Sequence, residues 1–389
     1  MRIQKSEKKS CDILVIARLS PRRSSRTRRL IRALSPNFKV QAVSERPDGA
    51  SEKDSDLDGV RLDEIALPFP GFHLWYFTGG LRVFYFNILT FLIAINSNAS
   101  AVVCSDSLYC LPGIMFKIFL HRKFVYNSHE IMWALGTPPL LSHFMGWLEK
   151  LAIQFCDFWM VPSEERAAII LNKHGLDKPY LVYENFPIVN NRAMNRTPAL
   201  NKISSGRKPQ DKPIVMFQGF VTQGRGVEEL IRSAQSGKFL LIIQGTGELL
   251  HEICKTENEN VIFLDACSNT DTIRWLKMAD LSFVYYENKS LNYAYACSNK
   301  FYASVFAGIP IICNRLPAFQ TFAEKYGGVV FFETLAPRAI EASIAKALNP
   351  SHYKELKREI QLAQSRLTSI PLELKINQAF SELLGGGRW

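Results

Sequence analysis

Short apolar runs alternate with helix-length amphipathic segments along most of the chain. "DILVIA" (12–17) and "AVVCSD" (101–106) are runs of the first kind. "LLSHFMGWLEKLAIQFC" (140–156) instead repeats apolar residues at a spacing of about 3.6, as a helix does. Continuous apolar strands are typical of parallel sheets that helices cover on both faces. The pattern therefore predicts an α/β fold with doubly wound parallel sheets.

One long polar segment interrupts this alternation. "NNRAMNRTPALNKISSGRKPQDK" (190–212) contains Pro, Ser and Gly but few large apolar residues, and the alternation restarts with "PIVMFQGF" (213–220). A chain of 389 residues also exceeds a single core of ordinary size. We therefore expect two Rossmann-like domains, 1–189 and 213–370, joined by a linker at 190–212.

The segment from Val83 to Ile95, "VFYFNILTFLIAI", is apolar apart from Asn87 and Thr90. It is shorter than the roughly 20 residues that a helix needs to span a membrane. We expect a buried core helix here. A helix at a membrane surface is the alternative, which the preceding aromatic run "FHLWYF" (72–77) supports.

The net charge of +11 is concentrated near the start of the chain. No acidic residue occurs between Ile13 and Ser44, whereas eight Arg and Lys residues do. "SPRRSSRTRRLIRAL" (20–34) predicts a helix that Ser20 caps. A local basic patch indicates an anionic partner, either the acceptor of a reaction or a membrane surface, and a solvated helix face is the alternative. The residues of this predicted patch are Arg22, Arg23, Arg26 and Arg29.

The cysteines and the first residues indicate a compartment. None of the eight cysteines forms a CxxC pair, and several lie in apolar runs, which favours buried thiols in a reducing environment. "MRIQKSEKKSCDILVIA" (1–17) lacks an apolar stretch followed by a small-residue cleavage site, so it does not resemble a signal peptide. We therefore expect a cytoplasmic protein, peripheral at the inner face of the plasma membrane if the basic patch binds lipid.

Two other classes are disfavoured. "ARLSPRRSS" (17–25) follows the first strand where a dinucleotide-dependent oxidoreductase would have GxGxxG. No aromatic residues interleave with the arginine cluster, so it lacks the stacking platform of a nucleic-acid-binding protein.

Glycine-rich loops follow two predicted strands of the second half, at the sheet edge where open α/β sheets bind ligands. In "GFVTQGRG" (219–226) glycines allow close approach of a phosphate, and Arg225 lies just before a predicted helix. "QGTGE" (244–248) contains Gly245 in a similar place. Ordinary tight turns with a solvated Arg are the alternative.

A third loop carries the strongest local signal. In "NYAYACSNKFYASVFAGIPII" (292–312), Ser298 or Asn299 can cap a helix, and Lys300 lies in its first turn. A cation there opposes the helix dipole, because a helix N-terminus favours negative charge. A bound anion would make the arrangement favourable, whereas a lysine that bends out to solvent is the alternative.

In the first half, "YNSHE" (126–130) places His129 and Glu130 at a predicted strand end. No second histidine follows at helical spacing, so the pair is not a metal motif, and a purely structural pair is the alternative.

Together these segments resemble the retaining glycosyltransferases of GT-B fold, family 4 in the carbohydrate-enzyme classification. The resemblance covers most of the chain and is strongest from about 210 to 332. It rests on "YNSHEIMWALG" (126–136), "YENFP" (183–187), "GFVTQGRGVEELI" (219–231) and the 292–312 stretch.

The resemblance implies two facing domains, with the nucleotide sugar bound by the second, the acceptor by the first, and a last helix, 371–389, that packs back on the first. It also implies that no metal or other cofactor is needed, because side chains and helix ends neutralise the leaving diphosphate. His129, Arg225 and Lys300 would be catalytic, His129 by contacting the donor sugar near its reacting face. The implied nucleotide-sugar site consists of Gly219, Arg225, Gly245, Asn292, Tyr293, Asn299 and Lys300.

Several positions depart from the family pattern. Ala303 replaces a glutamate that binds the ribose hydroxyls, and Tyr295 replaces its partner carboxylate. Phe220 stands where an arginine is usual, and Ser298 where proline is common. The sequence therefore keeps half of the diphosphate contacts and loses the ribose anchor.

Two functions remain after these observations. The first is transfer of a sugar with retention, from a nucleotide-sugar donor to a glycan or lipid-linked acceptor, in the synthesis of cell-surface polysaccharide or lipopolysaccharide. An anionic membrane surface would be a further partner and nucleic acid would not. The alternative, based on Ala303 and Phe220, is a non-catalytic relative that acts as a scaffold or partner subunit.

Overall fold

The computed structural model describes residues 11–22, 24–46, 56–57, 60–67, 75–187, 212–255, 258–296 and 298–385, with only the backbone at 56–57, 75–79 and 269. They form two compact units. Unit 1 comprises Met1–Glu184, Ser290–Asn292 and Pro371–Trp389, and unit 2 comprises Asn185–Lys289 and Tyr293–Ile370. Arg23 and all of the predicted linker except Lys212 lie outside the described residues.

Strands and helices alternate through the first part of unit 1. Its elements are β1 (Ile13–Ala17), α1 (Ser25–Leu34), β2 (Val40–Glu45), β3 (Asp56–Leu57), β4 (Val60–Ile65), α2 (Trp75–Asn96), β5 (Ala101–Ser105), α3 (Leu111–Leu120), β6 (Lys123–Asn127), α4 (Pro139–Phe155), β7 (Phe158–Val161), α5 (Glu164–His174) and β8 (Tyr180–Val182).

These strands form one sheet in the order β3-β4-β2-β1-β5-β6-β7-β8. All neighbouring strands are parallel except β3, which runs antiparallel to β4 at the edge. β1 pairs with β2 on one side and with β5 on the other, so the order of the chain reverses at β1. Every residue of β1 and β5 is buried, as the continuous apolar runs predict.

Two elements of unit 1 differ from the expectation. α1 begins at Ser25, and the Ser24 hydroxyl caps it by accepting from the Thr27 amide at 3.2 Å. Ser20, the predicted cap, instead donates to Glu64 Oε1 at 2.6 Å. No apolar run marks β4, because apolar and polar residues mix in "VRLDEI".

α2 contains the apolar segment for which burial was expected, but only one of its faces is buried. Phe86, Thr90 and Ala94 face the core, whereas residues such as Phe84 and Ile88 are exposed. The prediction of a buried helix is therefore correct for one side of α2 and wrong for the other. Within the described residues, no helix combines the length and the apolarity needed to cross a bilayer.

Unit 2 continues the same alternation. Its elements are β9 (Ile214–Phe220), α6 (Val227–Ala234), β10 (Leu240–Thr246), α7 (Leu250–Ile253), β11 (Val261–Asp265), α8 (Asn269–Leu276), β12 (Leu281–Val284), α9 (Leu291–Ala294, which begins in unit 1), α10 (Asn299–Ala307), β13 (Ile311–Asn314), α11 (Pro317–Tyr326), β14 (Val329–Phe332), α12 (Pro337–Ala347) and α13 (Pro350–Thr368).

The second sheet is entirely parallel, in the order β11-β10-β9-β12-β13-β14. Its order reverses between β9 and β12, which makes the carboxyl ends of these two strands the expected ligand position of the sheet. Gly219, near the end of β9, lies opposite Gly245 of β10.

After α13 the chain returns to unit 1 as α14 (Leu372–Leu384), which packs against α1. Asn377 Nδ2 donates to the carbonyl of Ala33 at 2.5 Å, and the fully buried ring of Phe380 meets Phe158 edge-on at 6.2 Å. The last helix therefore completes the core of unit 1.

Candidate functional site

The side chain of Lys300 lies directly over Gly219 at the carboxyl end of β9. A Cβ built at position 219 would come within 2.6 Å of Lys300 Nζ, and Gly219 has φ +114°, which L-residues rarely adopt. A Cβ on Gly245 would in turn collide with the carbonyl oxygen of Gly219. Both positions therefore require glycine, because a neighbouring atom occupies the place of a Cβ. At position 219 that neighbour is the Lys300 side chain.

Arg225 brings a second cation to the same place. Its guanidinium carbon lies 4.1 Å from the ring centroid of Tyr286 and 6.0 Å from that of Tyr293. Lys300 Nζ lies 5.8 Å from the Tyr286 ring and 5.0 Å from the Phe217 ring. Within the described part of the chain, aromatic faces and not carboxylates are thus the immediate neighbours of both charges.

Neither cation has an acidic partner among the described residues. The Nη1 atom of Arg225 is buried and donates a hydrogen bond to no atom of the described chain. Burial, and then the nearby charge of Arg225, lowers the pKa of Lys300 to about 7. Two partly buried cations without a counter-ion are unfavourable by themselves, and a di-anionic ligand at this point would stabilise both.

Hydrogen bonds hold the surroundings of this cation pair in place. The Tyr286 hydroxyl lies 2.7 Å from Ser298 Oγ, which also caps α10 by accepting from the Phe301 amide at 3.3 Å. Gln218 Nε2 and Ser304 Oγ both donate to the Lys300 carbonyl at 3.0 Å. The first turn of α10 is therefore attached to the end of the sheet, and with it the base of the Lys300 side chain.

The other residues of the predicted nucleotide-sugar site are distributed as follows. Asn299 is the first residue of α10, next to Lys300, and Tyr293 lies in α9 with its ring toward Arg225. Asn292 belongs to unit 1, where its side-chain oxygen accepts from the Ile131 amide at 3.0 Å. Arg225, Lys300, Gly219 and Tyr293 are thus brought together in unit 2, and Asn292 is not part of that group.

Two departures from the family pattern also have a clear structural setting. Ala303 is 6% exposed and packs among apolar residues that include Met216 and Ile242. Phe220 is 67% exposed at the end of β9. Position 303 is therefore a core position in this chain, whereas position 220 faces solvent.

His129 of unit 1 follows β6 and lies beside Asp106, which follows β5 with φ +63°. The His129 amide donates to Asp106 Oδ1 at 2.9 Å, and its Nδ1 lies 3.7 Å from Oδ2. Asn127 Nδ2 lies 3.0 Å from His129 Nε2. Since an amide nitrogen can only donate, Nε2 accepts and the proton of the neutral ring lies on Nδ1, toward Asp106.

Burial and the nearby guanidiniums fix the charge of this pair. Burial holds the pKa of His129 well below its usual value, and the nearby guanidiniums lower it further. These guanidiniums belong to Arg26, Arg29 and Arg166. Burial raises the pKa of Asp106 to about 7, against the hydrogen bond from the His129 amide. At neutral pH the imidazole is therefore uncharged, and the neighbouring carboxyl group titrates.

The predicted basic patch is largely internal. Arg26 is 7% exposed and donates to the carbonyls of Ser128, His129 and Tyr183 at 3.3–3.5 Å. Arg29 is 5% exposed and donates to the Tyr183 hydroxyl and to the Glu184 carbonyl. Arg22 is half-buried, 3.9 Å from Glu64. Arg26 and Arg29 therefore organise the strand ends around His129 and do not contribute to an exposed patch.

Three residues of these clusters have no sequence signal of their own. Tyr286 stacks under Arg225 but ends an apolar run, where an aromatic residue indicates core. Asp106 was part of a predicted strand, and Arg166 lies in α5, where it donates to the His129 carbonyl at 2.7 Å. Position at the carboxyl end of a strand is the one signal that would have selected Tyr286 and Asp106.

Among the described residues, no group of three or more His, Cys, Asp and Glu side chains is close enough to hold a metal ion.

No protein-family model matches the chain, and no curated protein matches it in sequence. Solved structures do match. Sucrose-phosphate synthase from Thermosynechococcus elongatus aligns with a TM-score of 0.73 and 14% identity over 96% of this chain and 99% of that one. HepE from Anabaena, in complex with UDP-glucose, aligns with a TM-score of 0.69 and 13% identity over 97% and 100%.

A glycosyltransferase from Rickettsia africae aligns equally well, with a TM-score of 0.69 and 13% identity over 97% of this chain and 99% of that one. Similarity at this level of identity establishes the fold alone. The chain therefore has the GT-B fold that the resemblance implies. Seven strands are parallel in one sheet and six in the other.

Proposed function

We propose that this protein is a glycosyltransferase whose unit 2 binds the diphosphate of a nucleotide-sugar donor between Arg225 and Lys300. The observation that carries the proposal is the pair of partly buried cations without a carboxylate partner among the described residues. They lie at the carboxyl end of the sheet, where its strand order reverses.

The chemistry of these residues suits a leaving diphosphate. Negative charge develops on the leaving group as the bond to the sugar breaks, and preorganised cations stabilise it most where water is excluded. Arg225 offers several donors in a planar fork, and Lys300 offers a compact charge at the first turn of α10. The HepE structure with UDP-glucose supports a donor of this class.

The finer assignments rest on the resemblance to family 4. They are retention of configuration, independence from a metal, a glycan or lipid-linked acceptor of cell-surface polysaccharide synthesis, and a cytoplasmic location. For His129 the proposed role is contact with the donor sugar. Its neutral, Nδ1-protonated ring suits a positioning contact better than a charged one.

Thermal unfolding with UDP, GDP, dTDP, CDP and ADP tests the donor site. A ligand at about 100 times its dissociation constant adds roughly 2.7 kcal/mol to the free energy of unfolding. We expect one nucleotide to raise the melting temperature, its nucleoside to have little effect, and Lys300→Ala to abolish the response. Lys277→Ala, an exposed lysine of the same unit, is the matched control.

The nucleotide that stabilises the protein then names the donor to use in transfer assays, and NMR of the product's anomeric carbon tests retention. If no nucleoside diphosphate stabilises the protein at millimolar concentration, the result contradicts the proposed donor site and favours the scaffold alternative.

A further inference from the structure

The outer face of α2 carries an uninterrupted apolar stripe. Its exposed residues recur at positions i, i+3, i+4 and i+7, so they lie on one side of the helix. They are Leu81, Phe84, Tyr85, Ile88, Leu92 and Ile95, each between 37% and 61% exposed. The opposite side of the same helix faces the core through residues such as Phe86 and Ala94.

The two helices that follow add to this surface. On α4, Leu140, Phe144 and Trp147 are 85%, 47% and 55% exposed, and the rings of Phe144 and Trp147 stack 6.0 Å apart. On α3, Ile118 and Phe119 are 43% and 66% exposed. Twelve of the seventeen exposed large hydrophobic residues in the described part of the chain lie on α2, α3 and α4.

The three helices cover the same face of the first sheet. α3 connects β5 to β6 and α4 connects β6 to β7, and these strands are successive parallel neighbours. Right-handed crossovers in one direction place both helices on one side, and α3 packs against α2 as well as α4. Soluble monomers rarely expose a continuous apolar area of this kind unless it binds something.

The three helices together carry a net positive charge, since Arg82, Lys117 and Lys150 stand against one carboxylate. The sequences of α2, α3 and α4 contain a single acidic residue, Glu149, which is fully buried. Lys150 of α4 has no ion-pair partner among the described residues. At the end of α3, next to the exposed Phe119, Lys117 and Lys123 share one carboxylate, that of Asp157.

We propose that the outer face of α2, α3 and α4, with Phe84, Phe119 and Trp147 as its apolar anchors, docks on the surface of an anionic lipid bilayer. Apolar side chains would enter the boundary between headgroups and acyl chains, while the lysines bind the headgroups, as amphipathic interfacial helices do. A second copy of this chain fits the face less well. Two net positive faces would meet, and no carboxylate among the described residues of α2, α3 and α4 is exposed to pair with them.

This surface differs from the arginine cluster of α1, whose Arg26 and Arg29 are buried. It also does not depend on the proposed sugar transfer, because it involves neither Lys300 nor Arg225.

Co-sedimentation with lipid vesicles tests the proposal. The full chain should bind vesicles of phosphatidylcholine that contain phosphatidylglycerol, bind pure phosphatidylcholine more weakly, and lose affinity as salt rises. Removing one buried aromatic anchor costs roughly tenfold in affinity, so the double variant Phe84→Glu, Trp147→Glu should lose binding by more than tenfold. The emission of Trp147, obtained by difference from Trp147→Phe, should shift to shorter wavelength on binding.

Leu374→Glu is the matched control, because Leu374 is 70% exposed on α14, which packs against α1. It should bind vesicles as the unaltered chain does. Failure of the folded chain to bind anionic vesicles, or equal binding by the double variant, would overturn the proposal. So would a dimer in solution that the double variant converts to a monomer in the absence of lipid, since a second copy would then cover the face.

Discussion

The side chain of Lys300 occupies the position that a Cβ on Gly219 would take, at the end of β9. The glycine thereby sets the position of the ammonium group relative to Arg225.

Gly219→Ala should therefore remove nucleotide binding as effectively as the loss of the lysine itself. The added methyl group displaces Lys300 and also strains the backbone, at a cost of about 1–3 kcal/mol in the free energy of unfolding. Gly237→Ala is the control, because Gly237 has φ +71° but its added Cβ would meet nothing closer than 3.8 Å. Thermal unfolding with and without the stabilising nucleotide separates the two effects. A Gly219→Ala protein with an undiminished nucleotide response would contradict the role of this contact.

Nucleotide binding should depend on pH through Lys300. Its pKa is about 7 in the folded protein without ligand, below the ordinary 10.5, so the folded state binds fewer protons than the unfolded state between these values. The contribution of Lys300 to the free energy of unfolding of the ligand-free protein should thus rise with pH above about 7. It should level off near the ordinary pKa of 10.5.

A bound diphosphate requires the charged ammonium group, so binding above pH 7 takes up a proton. Affinity should fall by up to about tenfold for each pH unit above 7. Calorimetry in two buffers of different ionisation enthalpy measures this proton uptake directly. Lys300→Arg, which stays charged at every pH tested, should bind without it, and a pH-independent affinity of the unaltered protein would refute the assignment.

The ring of Tyr286 and its hydroxyl should have separable effects. Tyr286→Leu removes the face that Arg225 covers at 4.1 Å and should weaken nucleotide binding by roughly threefold to tenfold. Tyr286→Phe keeps that face but loses the hydrogen bond to Ser298, which should cost about 1 kcal/mol of stability with little change in affinity. Titration calorimetry and chemical unfolding of the two variants distinguish these outcomes, and equal affinities would show that the ring does not support the arginine.

Replacing Ala303 by the glutamate of the family pattern should not restore a ribose contact. Position 303 packs against Met216 and Ile242, so the new carboxylate would enter an apolar cluster and destabilise the protein by about 2–3 kcal/mol. The check is denaturant unfolding of Ala303→Glu beside Ala296→Glu, a substitution in the preceding, less buried turn. Tighter nucleotide binding by Ala303→Glu without a loss of stability would contradict this interpretation.

Arg26→Ala should destabilise unit 1 by about 2–4 kcal/mol, because it leaves the buried carbonyls of Ser128 and Tyr183 without their charged donor. The His129 carbonyl still accepts from Arg166. Arg32→Ala, on the exposed side of the same helix, should change stability by less than about 0.5 kcal/mol. Chemical unfolding of both variants provides the comparison. Equal changes in the free energy of unfolding would show that the buried hydrogen bonds of Arg26 do not stabilise the protein.

The two sheets could be predicted from the sequence because buried parallel strands are short continuous apolar runs, as β1 and β5 are. β4 escaped prediction because apolar and polar residues mix along it. Burial could not be assigned to α2, since a helix that is apolar on all sides gives no indication of which side the core covers.

The candidate site divides in the same way. Lys300 and Arg225 could be selected from the sequence as candidates because a cation at a helix start or a glycine-rich turn is unusual. Arg26 and Arg29 were misplaced on the surface because charge normally indicates exposure, and the carbonyls that accept from them come from segments more than 100 residues away. Tyr286 looked like a core residue, and only the approach of Arg225 gives it another role.

The return of α14 to unit 1 has a consequence for how this chain is made. During synthesis, β1 to β8 leave the ribosome long before the helix that supplies Phe380 and Asn377 to their core. Unit 2 can complete its own sheet before that helix exists. The domain that begins first is therefore finished last, and a nascent chain must keep one side of α1 uncovered until translation of α14 ends.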